Sequence, residues 1–160
     1  MTNFKAALEI LRNAEVNFVV VGAYAGVLHG SSQLTRDLDI CYERTSQNIK
    51  RLVTALASCN PRLRGAPSSV PFLFDERTVS HGMNFTLETD FGDLDLLGEL
   101  SGLGQFPDVA RDAISIELFG QPCRVASLDA IIRSKRAAGR AKDLNALPEL
   151  EALKEMTRKK

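Results

Sequence analysis

Apolar residues recur at helical spacing from the start of the chain. Phe4, Ala7, Leu8 and Leu11 share one face and Asn3 stands where a capping residue belongs, so an opening helix is predicted. The period then changes. Phe18-Val19-Val20-Val21 is a short β-branched run closed by Gly22, and Ala23 to Leu28 reads as a helix that stops near Gly30: strand, tight turn, helix. Arg36 to Tyr42 is the next predicted strand, followed by a helix capped by Ser46 whose apolar face carries Ile49, Leu52, Val53 and Leu56. Cys59 to Pro71 holds three prolines and a glycine and reads as a loop. Met83 to Thr89 and Asp93 to Leu97 form a predicted hairpin across Asp90-Phe91-Gly92. Ile114 to Phe119 and Cys123 to Ala126 repeat the design across Gly120-Gln121-Pro122. From Ser127 the chain turns helical, with Leu128, Ile131 and Ile132 on the face that carries Lys135. A last helix is expected from about Leu144 to Met156, interrupted or restarted near Pro148, and Arg158-Lys159-Lys160 reads as a solvated tail. These elements predict an α+β fold, a mixed sheet with helices packed mainly on one side.

The most informative polar pattern lies inside the predicted strands. Asp37-Leu38-Asp39-Ile40 and Asp93-Leu94-Asp95-Leu96 alternate acid with apolar residue. Successive strand side chains point to opposite faces, so both carboxylates of each pair point one way and the aliphatic residues the other. Aspartate is disfavoured in strands and like charges on one face repel, so a cation seated among them would account for the pattern. A lone Asp-x-Asp is commonly plain surface alternation. Here a glycine turn and a second acidic strand accompany it.

Composition narrows the picture. With 160 residues and 44% hydrophobic side chains, the chain can bury one core. Twenty basic residues balance twenty acidic ones, so no global positive field draws it to nucleic acid or to a membrane. No apolar run approaches the roughly 18 residues of a membrane span, and the first residues read as an amphipathic helix rather than a signal peptide. Cys41, Cys59 and Cys123 are odd in number and lack CxxC spacing, which argues against a disulfide frame or a zinc site. A reducing cytoplasm and inert buried thiols are expected. His29, before a glycine at a helix end, reads as a C-terminal capping residue, and His81 as a loop residue.

The run Val20-Val21-Gly22-Ala23, thirteen further residues and then Asp37-Leu38-Asp39-Ile40 resembles the signature of the nucleotidyltransferase superfamily. More narrowly, His29-Gly30, Thr35 and the acidic strand look like the minimal nucleotidyltransferases related to AbiEii-type toxins. Ser134-Lys135, Ala138-Gly139-Arg140 and Lys142-Asp143-Leu144 are similar to that group's lysine and arginine-x-lysine-aspartate helices. The resemblance implies a mixed sheet of the polymerase β-like type flanked by helices, with a nucleotidyltransferase core over residues 1–126 and a short helical region over 127–160 packed on it as one domain. It also implies a Mg²⁺-dependent transfer of a nucleoside monophosphate from an NTP to an acceptor hydroxyl, with two ions.

On that resemblance Asp37 and Asp39 form the first metal-binding pair and Asp93 or Asp95 supplies the third acid. Asp95 is favoured, because the family's third acid precedes a short apolar stretch such as Leu96-Leu97, and this acid is also best placed to take the acceptor's proton. Gly22 and Ala23 start the phosphate-binding turn, Arg36 and Lys135 offer charge to the triphosphate, and Asp143 orients that lysine or meets the nucleotide. Without the resemblance, Asp143 reads as a cap or charge balance at the start of the last helix. The chain departs from the pattern at Ala23, where relatives carry glycine or serine, and at Gln33, where they often carry arginine. Two classes of function follow: an active transferase, acting on an RNA end, a protein or a small molecule, or an inactive binding module of the same fold. Either could belong to a toxin or defence pair with an antitoxin-like partner. Arg133, Lys135, Arg136, Arg140 and Lys142 form a basic strip able to meet RNA locally.

Overall fold

The structure is a computed structural model that describes residues 2–67 and 69–158, so Lys159 and Lys160 of the expected tail lie outside the described residues. Helix α1 (Phe4–Asn13) begins at its predicted cap: the Asn3 side chain accepts a hydrogen bond from the Ala6 amide at 3.0 Å, and Ala7, Leu8 and Leu11 are buried. Strand β1 (Phe18–Val21) is buried along its whole length, as a continuous β-branched run in a central strand should be, and turns at once into α2 (Gly22–Leu28). Next come β2 (Asp37–Tyr42), α3 (Ser46–Ala57), β3 (Arg62–Leu63), α4 (Glu76–His81), β4 (Asn84–Thr89) and β5 (Gly92–Leu97). A small ribbon of β6 (Glu99–Leu100) and β7 (Gly104–Gln105) leads into α5 (Phe106–Arg111), the hairpin β8 (Ile114–Leu118) and β9 (Gln121–Val125), and two closing helices, α6 (Leu128–Ala138) and α7 (Ala141–Arg158).

The fold is α+β. Seven strands form one mixed sheet in the order β3-β4-β5-β2-β1-β9-β8, with β2 parallel to β5, β1 parallel to β9, and the other neighbours antiparallel. The parallel register sets Leu38 beside Leu94 and Ile40 beside Leu96, all four fully buried. The same register sets Asp37 beside Asp93 and Asp39 beside Asp95. Burial of the aliphatic face therefore fixes the acids on the other face, since a one-residue slip would expose the leucines.

Several local expectations need correction. The cap of α3 is Thr45, whose hydroxyl accepts from the Asn48 amide at 3.2 Å, one residue ahead of Ser46. The Cys59–Pro71 segment is not wholly loop, because β3 pairs with β4 across Leu63 and Leu87. The short helices α4 and α5 were not foreshadowed by periodicity, and His81 ends α4 rather than lying in a loop. Helix α7 starts at Ala141 and runs unbroken through Pro148. Proline forfeits the hydrogen bond to the Leu144 carbonyl, but Ala146 and Leu150 on either side are buried and hold the helix to the core. All three cysteines are free and buried, and burial pushes the Cys41 thiol up to about 12, the opposite of a nucleophile's environment. Among the described residues no helix is long and apolar enough to cross a membrane.

Candidate active site

Three carboxylates meet on the acidic face of the central strands. One oxygen each from Asp37, Asp39 and Asp95 lies within 4.8 Å of the others. Asp39 is the most constrained: its Oδ1 is shut from solvent and has no hydrogen-bond partner. Burial, the neighbouring charges of Asp95 and Asp37 and a hydrogen bond to Asp95 push its pKa up to about 7, with Arg64 pulling the other way. Asp95 is also raised, chiefly by burial, against the pull of Arg64. Both shifts mark buried acids whose charge the nearby guanidinium does not fully offset. A hard cation fits this all-oxygen donor set, and the unpartnered Asp39 oxygen is the kind of ligand such an ion would satisfy. Asp93 stands outside the trio.

The residue that sequence reasoning missed is Arg64. Its Nη2 lies 2.8 Å from Asp95 Oδ1, its Nε 3.4 Å from Asp93 Oδ1 and its Nη1 3.7 Å from Asp37 Oδ2. Burial works against its charge, but the carboxylates outweigh that cost and raise its pKa. It directly follows the short β3: with Leu63 opposite Leu87, the Arg64 amide donates to the Thr86 carbonyl at 3.0 Å, and Thr86 lies opposite Asp95. The faint signal was the charged-apolar-charged alternation Arg62-Leu63-Arg64 within a proline-rich segment.

Gly22 forms the bend between β1 and α2. Its φ is +69°, and a Cβ there would lie 2.1 Å from Asp39 Oδ2. Glycine is required both by the backbone conformation and by the close approach of the acid. The opposite wall comes from the closing helices. Asp143, only 3% exposed, accepts hydrogen bonds from the Arg140 amide (3.3 Å), Nε (2.6 Å) and Nη2 (3.3 Å), with Lys135 Nζ 3.8 Å away. Burial opposes its charge, but the Arg140 hydrogen bonds and the Arg140 and Lys135 charges pull its pKa below the usual carboxylate range. It both ties the start of α7 and reaches the lysine.

Asp143→Asn is expected to cost about 1–3 kcal/mol of stability at pH 7. Because the folded pKa is depressed, the carboxylate's contribution is present above pH 4 and lost as pH falls through the folded value. Urea unfolding of variant and wild type should therefore converge toward acid pH.

These walls enclose a cleft of about 1020 Å³ lined by Gly22, Ala23, Arg36, Asp37, Asp39, Lys135 and Asp143, with Asp95 joining through the carboxylate trio. Arg36 is exposed and makes no ion pair among the described residues. His29, the predicted cap, does end α2, and its Nε2 donates to the Ala126 carbonyl at 2.8 Å. Unexpectedly, Glu149 of α7 accepts hydrogen bonds from the hydroxyls of Ser31 and Ser32, fastening the segment that leads to Arg36. The basic strip is partly paired: Lys135 and Arg140 share Asp143, and Arg136 pairs with Glu151.

No family model and no curated protein sequence matches the chain. Solved structures do. The lincosamide antibiotic adenylyltransferase LnuA, lincomycin-bound, is 14% identical, with 94% of this chain and 95% of that one covered and a TM-score of 0.61. ANT(2'')-Ia in complex with adenylyl-2''-tobramycin is 13% identical over 98% and 95% of the two chains, with a TM-score of 0.57. A putative nucleotidyltransferase from Thermotoga maritima is 16% identical over 100% and 97%, with a TM-score of 0.50. At these identities the likeness establishes the fold, which is that of nucleotidyltransferases.

Proposed function

We propose that this chain is a Mg²⁺-dependent nucleotidyltransferase, of the minimal kind related to AbiEii-type toxins, that transfers a nucleoside monophosphate from an NTP to an acceptor hydroxyl. The observation that carries the reading is the convergence of Asp37, Asp39 and Asp95, with the orphaned Asp39 oxygen, beside the Gly22 bend at the head of a cleft. These three acids would hold the metal, which when bound offsets the charge of the triphosphate and of the departing pyrophosphate. The chain supplies position. The Gly22-Ala23 backbone lets the phosphates approach, Lys135 brings a point charge that Asp143 aims, and Arg36 adds an unpaired charge from the cleft edge. Asp95, whose pKa burial raises, is suited to take the acceptor's proton.

A small molecule is the acceptor this cleft favours, because Lys135 and Arg140, which line it, are held by Asp143 rather than presented to an RNA backbone. The comparison with LnuA and ANT(2'')-Ia, solved with an antibiotic and an adenylylated antibiotic, supports the same class. The division into a core (1–126) and a helical region (127–160), a cytoplasmic place, and a defence or toxin role with an antitoxin-like partner belong to the same proposal. Ala23 and Gln33 favour a second reading, a binding module that has lost turnover, since two contacts expected for the triphosphate are missing.

Labelled NTPs, Mg²⁺ and fractionated cell extract separate these readings. Label is expected in the small-molecule fraction and absent with Asp37→Asn or Asp39→Asn. Label in RNA or protein would correct the acceptor, and a calorimetric null for every NTP with Mg²⁺ would leave the binding module.

A further inference from the structure

We infer that Arg64 is a built-in competitor of the divalent cation, so that metal enters with the nucleotide rather than before it; this rests on the carboxylate trio being the metal site. The guanidinium lies on two of the three presumptive ligands, 2.8 Å from Asp95 and 3.7 Å from Asp37, while the third, Asp39, keeps an unpartnered oxygen. A divalent ion bound to Asp37 and Asp95 must draw on the same oxygens and would stand beside a fixed positive charge. Both effects weaken binding to the free protein. An incoming triphosphate changes the balance, because its negative charge offsets ion and guanidinium together.

The seat is well defined but incompletely satisfied. Nη2 also donates to the Leu87 carbonyl at 2.7 Å, and the Arg64 amide is tied to Thr86. The buried Nε, although 3.4 Å from Asp93, makes no aligned hydrogen bond. An unmet buried donor lowers the cost of leaving the seat for a phosphate oxygen that can satisfy it. The position fits such a role: Arg64 reaches Asp95 across Thr86, yet stands one residue past β3, an edge strand of only two paired residues.

The test is Mn²⁺ binding by calorimetry and electron paramagnetic resonance, without nucleotide and then with a non-hydrolysable ATP analogue. Arg64→Gln is expected to bind Mn²⁺ about tenfold more tightly than wild type in the absence of nucleotide, and the gap should narrow with the analogue. Arg64→Lys keeps the charge but as a single point that cannot span Asp37 and Asp95, so a gain of about threefold is expected. This variant carries the test if the glutamine chain fails to fold. Equal or weaker Mn²⁺ binding by either folded variant would overturn the inference. Wild type that binds no Mn²⁺ even with the analogue, and does not differ from Asp39→Asn, would overturn the metal site itself and this inference with it.

Discussion

Asp39→Asn is expected to abolish nucleotide transfer and, at the same time, to make the metal-free protein more stable above pH 7. The two effects have one cause. Asp39 sits half-buried beside Asp37 and Asp95, with one oxygen unpartnered, and its pKa is pushed up to about 7. An aspartate in the unfolded chain loses its proton near pH 4, whereas the folded chain keeps it until about 7. The folded state therefore binds more protons across that window, so metal-free stability falls as pH rises from 4 to 7 and stays low beyond. Three pKa units correspond to roughly 4 kcal/mol, and asparagine, neutral throughout, should remove most of that loss. Urea unfolding in EDTA at pH 5 and pH 8 measures it: the variant's advantage should be less than half as large at pH 5 and reach roughly 2–4 kcal/mol at pH 8. Transfer should drop about a thousandfold, the scale of removing a ligand from a catalytic ion. Mg²⁺ supplied together with a non-hydrolysable ATP analogue should stabilise wild type at pH 8 more than the variant. A variant less stable than wild type at pH 8 in EDTA would show that Asp39 is already compensated in the free protein.

The convergence of the acids was legible in the sequence because it is written in the strand period. Asp-Leu-Asp-Ile and Asp-Leu-Asp-Leu separate an apolar face from an acidic one without reference to any other part of the chain, and burial of Leu38, Ile40, Leu94 and Leu96 then sets the register. Gly22 was legible for a similar reason, as a turn residue ending a β-branched run. Arg64 was not. Strand β3 exists only because it pairs with β4, a contact between distant segments, and two paired residues leave no period to detect. The short helices α4 and α5 escaped for the same reason. The pairing of Arg136 with Glu151 and the Glu149 tie to Ser31 and Ser32 depend on how α7 docks, and charge counting along the sequence could not show which cations of the basic strip are paired.

Gly22→Ala is expected to cost about 2–5 kcal/mol of stability and to weaken metal and nucleotide binding together, because a single methyl group meets two separate obstacles. At φ +69° a residue with a Cβ is strained by about 1–2 kcal/mol. The added Cβ would also lie 2.1 Å from Asp39 Oδ2, far inside contact distance, so either the bend or the carboxylate must move, at about 1–3 kcal/mol more. A shifted Asp39 no longer meets Asp37 and Asp95. The two obstacles can be told apart by a double-mutant cycle. In an Asp39→Ala background the clashing carboxylate is gone and only the Cβ at 3.0 Å remains, so Gly22→Ala should cost little more than the backbone part, and the coupling between the two sites should be about 1–3 kcal/mol. Gly120 supplies the control: its φ is +81° but nothing lies within 4 Å of where a Cβ would sit, so Gly120→Ala should show the backbone cost alone and no coupling to Asp39. If Gly22→Ala were as mild as Gly120→Ala, the glycine would serve the turn only, and the close approach of the acid to the bend would carry no functional weight.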